Sequence, residues 1–116
     1  MNLELRRIIV FARDLNSLAV FYRDVLGLRE LVTPDDSRTW REFAAGACSI
    51  ALHNSGVPAS AGKPPKIVFY VNDVAQTRDA LNARGANFGR VIVTGEFKLS
   101  NGSDPEGNAL ALSSRP

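Results

Sequence analysis

Cysteine, histidine and tryptophan each occur once in these 116 residues, and each scarcity removes a class of chemistry. The lone Cys48 has no partner for an internal disulfide, so folding rests on burial. At this length, with 45% apolar residues, a sizeable core is affordable without covalent staples. The lone His53 leaves little for a metal site built on imidazoles or for histidine-centred acid-base chemistry. No apolar run approaches the ~20 residues that span a bilayer, which excludes a membrane-spanning helix. Charges at Glu4, Arg6 and Arg7 break up the start of the chain, where a signal peptide needs an apolar stretch. A reducing, cytoplasmic setting is therefore expected. Lys and Arg total 14 against 12 Asp and Glu, a net charge of only +2, and the basic residues are scattered. Without a basic stripe interleaved with aromatics, a nucleic-acid partner is not expected. A single domain over residues 1–116 is the expectation.

What the chain does have is a hidden repeat. The segment Arg7-Ile8-Ile9-Val10-Phe11-Ala12-Arg13-Asp14-Leu15 is a basic residue, an apolar run, a polar residue, Asp and an aliphatic. The same pattern returns 59 residues later as Lys66-Ile67-Val68-Phe69-Tyr70-Val71-Asn72-Asp73-Val74. Both runs are short and rich in β-branched and aromatic residues, so they are predicted strands, each followed by a helix with Asp as N-cap. The first helix places Leu15, Leu18, Tyr22 and Val25 on one face and stops at Gly27. The second has Gln76 at capping-box spacing from Asp73, a weaker face of Val74, Thr77 and Leu81, and a stop at Gly85.

The correspondence continues at the ends of the halves, where Ser49-Ile50-Ala51-Leu52 matches Ala109-Leu110-Ala111-Leu112. Two further strands are predicted in each half, Leu28 to Thr33 and Arg38 to Ala44, then about Arg90 to Thr94 and Phe97 to Asn101. Asp104-Pro105-Glu106-Gly107-Asn108 is a turn sequence leading into the last strand. The fold class is thus α+β, with two βαβββ modules at 1–53 and 66–116. Residues 54–65, rich in Gly, Pro, Ser and Ala, form the linker.

A strand shows alternate residues to opposite sides. If Ile8, Val10 and Ala12 cover the first helix, then Arg7, Ile9 and Phe11 face away from it. Lys66, Val68 and Tyr70 face away in the second half, as do Ser49, Ala51 and His53, and Ala109, Ala111 and Ser113. Cys48 alternates to the helix side as a small core residue. The side taken by Trp40 is left open by its neighbours Thr39 and Arg41.

The duplicated unit, with Phe21-Tyr22-Arg23-Asp24-Val25-Leu26-Gly27 closing its first helix and Asp104-Pro105-Glu106-Gly107-Asn108 before its last strand, resembles the vicinal oxygen chelate superfamily. That group includes glyoxalase I, extradiol dioxygenases and bleomycin resistance proteins. The resemblance implies two cupped mixed sheets around a cleft, helices on the outer face, and a homodimer. In its metal-dependent members the ligands come from the first and last strands of each half. Carried over, those positions fall on Arg7 and Lys66, and on Ala51 and Ala111. Ala has no ligand atom, Arg is not deprotonated, and a Lys ligand needs a strongly depressed pKa. Neither a metal nor another cofactor is therefore expected.

The expected ligand-binding set is Arg7, Ile9, Phe11, Trp40, Ala51, His53, Lys66, Tyr70 and Ala111. The two basic groups suit a carboxylate or phosphate, and Trp40 suits a planar group. His53 is the one candidate catalytic residue. Three functions fit these residues: a metal-free binding protein for an anionic, partly aromatic small molecule; an enzyme of the same fold acting on a carbonyl compound through His53 or Lys66; or an interaction module with a vestigial cleft.

Overall fold

A computed structural model describes residues 2, 5–54 and 65–116. The chain divides into two compact units, Met1–Ala61 and Gly62–Pro116. Most of the expected linker, 55–64, lies outside the described residues.

In the first unit, β1 (Arg7–Phe11), α1 (Leu15–Val20), β2 (Glu30–Leu31), β3 (Trp40–Ala45) and β4 (Cys48–His53) follow in order. The strands form one mixed sheet in the order β1-β4-β3-β2, with β1 parallel to β4 and the other pairs antiparallel. Asp14 caps α1 by accepting the Ser17 amide at 3.1 Å. Beyond Val20 the helix widens over Phe21–Val25 into π geometry, with the Leu26 amide donating to the Phe21 carbonyl at 3.0 Å. The wider turn lets the adjacent Phe21 and Tyr22 both turn inward, their rings meeting edge to face at 5.6 Å. Phe21 thereby joins the buried face, while Val25 is only half-buried. Gly27 ends the segment at φ +76°, a conformation glycine adopts without the Cβ clash other residues incur.

Leu15, Leu18, Ala19 and Tyr22 pack with Val10, Phe43, Ile50 and Leu52 to make this unit's core. Burying each large side chain contributes roughly 1.5–3 kcal/mol. The alternation expected for β1 holds: Val10 is buried, whereas Arg7, Ile9 and Phe11 are exposed.

The second unit repeats the plan with β5 (Ile67–Tyr70), α2 (Val74–Ala83), β6 (Ile92–Thr94), β7 (Phe97–Ser103) and β8 (Ala109–Ser113), in the order β5-β8-β7-β6. Asp73 caps α2 by accepting the Gln76 amide at 3.0 Å. Asp104 fixes the last turn, its carboxylate accepting the Glu106 and Asn108 amides, each at 2.9 Å, and Asn108 Nδ2 at 2.7 Å. Ile67, Val74, Leu81, Phe88, Leu110 and Leu112 are buried. Ser100 is buried among them without penalty because its hydroxyl donates to the Gly89 carbonyl at 2.7 Å.

Two expectations need correcting. The strand predicted over Leu28 to Thr33 pairs only at Glu30–Leu31, and Val32 stands fully in solvent. Pro34 follows directly and carries no N–H for a continuing ladder. Cys48 is half-buried rather than core, because it begins β4 at the β3–β4 turn, its sulfur 3.8 Å from the Ala45 carbonyl.

Candidate functional site

The residues that gather chemistry lie on the helix-free face of the first sheet. Pairing places Arg7 opposite Ser49, Ile9 opposite Ala51 and Phe11 opposite His53. Across β4, Trp40 lies opposite His53, Glu42 opposite Ala51 and Ala44 opposite Ser49. Directly paired residues show their side chains to the same side of a sheet. Trp40 is therefore on the face of Arg7, Phe11 and His53, which settles the orientation its sequence neighbours left open.

At the centre of this face is Glu42, only 7% exposed, a residue the sequence reading did not single out. Its carboxylate accepts three bonds: Ser49 Oγ at 2.6 Å, Arg7 Nε at 3.0 Å and Trp40 Nε1 at 3.0 Å. Burial pushes its pKa up, but the hydrogen bonds from Ser49, Arg7 and Trp40, with the positive charge of Arg7, outweigh that and hold it below the ordinary 4.5. Glu42 is thus an anion at neutral pH. The Arg7 side chain keeps 40% of its exposure, and its guanidinium carbon lies 5.8 Å from the centroid of the Trp40 ring.

From Trp40 a row of rings continues along the face, away from Arg7. The His53 ring lies 5.4 Å from Trp40 and 6.0 Å from Phe11. His53 Nδ1 is 2.9 Å from the Thr39 carbonyl, a pure acceptor, so this nitrogen carries the hydrogen and Nε2 is left as the basic atom of the neutral ring. Phe11 is 54% exposed and Ile9 44%, an unusual amount of apolar surface for strand residues. Ala51 is fully buried beneath its neighbours, so it sets the depth of the floor and offers no surface. Trp40 also borders a depression of about 370 Å³ with Glu30, Leu31, Thr33 and Arg41. There Arg41 Nη2 donates to Glu30 at 2.8 Å, and this bond, against burial, lowers the Glu30 pKa.

The corresponding face of the second sheet is plainer. Lys66 Nζ donates to Asn101 Oδ1 at 3.0 Å, and Asn101 lies opposite Ala111 as Glu42 lies opposite Ala51. Tyr70 is 58% exposed and donates to Asn72 Oδ1 at 2.9 Å, while Ala111 is buried.

The four positions that the resemblance associates with metal ligands carry Arg7, Ala51, Lys66 and Ala111. They do not fit a divalent ion, because two lack donor atoms and two are cations. Among the described residues, no three His, Cys, Asp or Glu side chains converge, and the nearby Glu42 carboxylate is already engaged by three donors.

Comparison with known proteins agrees with this architecture. The solved structure of lactoylglutathione lyase from Agrobacterium tumefaciens superposes with a TM-score of 0.74 at 19% identity, covering 95% of this chain and 92% of that one. TnmS3, an antibiotic binding protein from Streptomyces sp. CB03234, gives 0.79 at 20% identity, over 96% and 94% of the two chains. A glyoxalase/bleomycin resistance protein/dioxygenase family enzyme from Burkholderia phytofirmans PsJN gives 0.76 at 20% identity, over 96% and 98%. At these identities the likeness concerns the fold alone. No curated protein matches the sequence. The family model of the Glyoxalase/Bleomycin resistance protein/Dioxygenase superfamily matches residues 4–112, and the chain belongs to that superfamily.

Proposed function

We propose that this protein is a metal-free binding protein that sequesters a small, anionic and partly aromatic molecule on the helix-free face of its first sheet. The observation that carries the reading is a row along one face: a half-exposed Arg7 lies 5.8 Å from the Trp40 ring, and Trp40 leads on to His53 and then Phe11. Flat apolar surface beside one oriented cation is what recognition of an aromatic anion requires. That one structural neighbour is an antibiotic binding protein supports a binding role for this scaffold. Lys66 and Tyr70 on the second sheet are secondary candidates for ligand contact. A cytoplasmic homodimer is part of the reading, the first attribute resting on the lone Cys48 and the second on the resemblance.

Native mass spectrometry of the purified protein tests ligand, metal and oligomer together. A thermal-shift panel of aromatic acids complements it, since a ligand at 100 times its Kd adds about 2.7 kcal/mol of stability. A stoichiometric transition metal whose removal abolishes ligand binding refutes the reading. One observation favours an enzyme instead: His53 is fixed by Thr39 with Nε2 as its basic atom. Turnover of a carbonyl compound that His53→Ala abolishes without loss of ligand affinity would establish that alternative.

A further inference from the structure

We infer that Glu42 is the positioning residue of this face: it holds Arg7 and Trp40 so that the free edge of the guanidinium takes the carboxylate of a planar aromatic acid lying against the indole. The inference rests on the proposed binding function and adds the ligand's charged group and the residue that arranges its recognition.

Arg7 spends only Nε on Glu42, and among the described residues neither Nη atom has a hydrogen-bond partner. The two Nη groups form a planar fork whose spacing matches the two oxygens of a carboxylate. The other carboxylate oxygen of Glu42 accepts the indole N–H of Trp40, so one buried group sets the orientation of both prospective ligand contacts. Ser49 Oγ, on the oxygen that also serves Arg7, fixes Glu42 in turn. Cation and ring are thus arranged before any ligand arrives, which spares the ordering cost of two long side chains.

The second unit supports the assignment independently. At the corresponding place on its sheet, Asn101 holds Lys66, so both repeats use this β-strand position to restrain the basic residue at the start of the sheet. In the second unit the restraint is a neutral amide and the cation has a single nitrogen. Only the first unit combines a carboxylate, a forked cation and an indole.

The test compares 2-naphthoate with 2-naphthamide, which share a ring system but differ in charge, by calorimetric titration. Trp40 is the only tryptophan, so its single indole N–H resonance reports the Glu42 bond directly. Wild-type protein is expected to bind the acid roughly tenfold or more tightly than the amide, as suits a bidentate charged contact. Glu42→Gln is expected to shift the indole resonance and cut that preference to about threefold or less, with the amide's affinity little changed. Arg7→Lys keeps the charge but removes the fork, and is expected to lose the preference with the indole resonance nearly in place; it carries the test if Glu42→Gln fails to fold.

Equal binding of acid and amide by wild type overturns the inference and the anionic ligand class of the proposed function together. Full preference retained in Glu42→Gln or in Arg7→Lys overturns the inference alone. Failure of wild type to bind either probe overturns the binding function for this ligand class, and the inference falls with it.

Discussion

Replacing Glu42 by Ala removes a single carboxylate from which three side chains take their orientation. Its hydrogen bonds are charge-assisted, and such bonds contribute about 1.5–3 kcal/mol each when their donors are dry. The three donors differ in that respect. Arg7 is 40% exposed on its side chain and recovers most of its loss from water, so its share is below about 1 kcal/mol. Trp40 is half-buried and loses its N–H acceptor, and buried Ser49 keeps only a long 3.4 Å bond to the Arg6 carbonyl, so these two donors account for most of the cost. Part is offset because a desolvated carboxylate no longer has to be accommodated. The net expectation is a loss of about 2 kcal/mol at pH 7, or a fall in Tm of roughly 6–10 °C for a chain of this size.

The pH dependence gives this expectation a signature. The folded-state pKa of Glu42 lies below its ordinary value of 4.5, so the stabilisation is complete above that value and disappears as pH falls through the depressed one. Urea unfolding followed by far-ultraviolet circular dichroism, at steps between pH 7 and 3, measures the gap between wild type and Glu42→Ala. It should be flat from pH 7 to 5.5 and narrow below about 4.5. A gap under about 0.5 kcal/mol at pH 7, or one unchanged down to pH 3, refutes the role assigned to the carboxylate.

Two further expectations concern other parts of the chain. A Cβ at Gly102 would lie 2.9 Å from Phe88 Cδ1 and 3.2 Å from the Phe88 backbone, so Gly102→Ala should cost about 1–3 kcal/mol in urea unfolding, and a cost below about 0.5 kcal/mol contradicts that packing. Bonds from the Arg38 guanidinium and amide hold the Asp36 carboxyl down to about 2, so a carboxyl-detected NMR titration should find its midpoint there and nearer 3.8 in Arg38→Ala; a wild-type midpoint near 3.8 contradicts the pairing.

Legibility in the sequence followed the range of the interaction. Asp14, Asp73, Gly27 and Gly85 act within a turn or two of themselves, and each does what local pattern predicts. The π-widening after Val20 escaped because it answers to packing of Phe21 and Tyr22 rather than to any helix-breaking residue. Glu42 escaped because a Glu in a strand beside Arg41 reads as solvated charge, and the facing of Trp40 was open. A signal was present: the same offset that carries Arg7 to Lys66 carries Glu42 to Asn101, two residues that hold those cations.

The sequence by itself determined the repeat, the caps, the two-sided character of β1 and β5, and the absence of donor atoms at Ala51 and Ala111, since all of these follow from residue type and short-range periodicity. Only the tertiary structure decided what the basic residues do. Strand register is fixed by contacts between segments far apart in the chain, and that register set Glu42 and Trp40 on the face of Arg7 and left Arg7 one engaged nitrogen and one open edge.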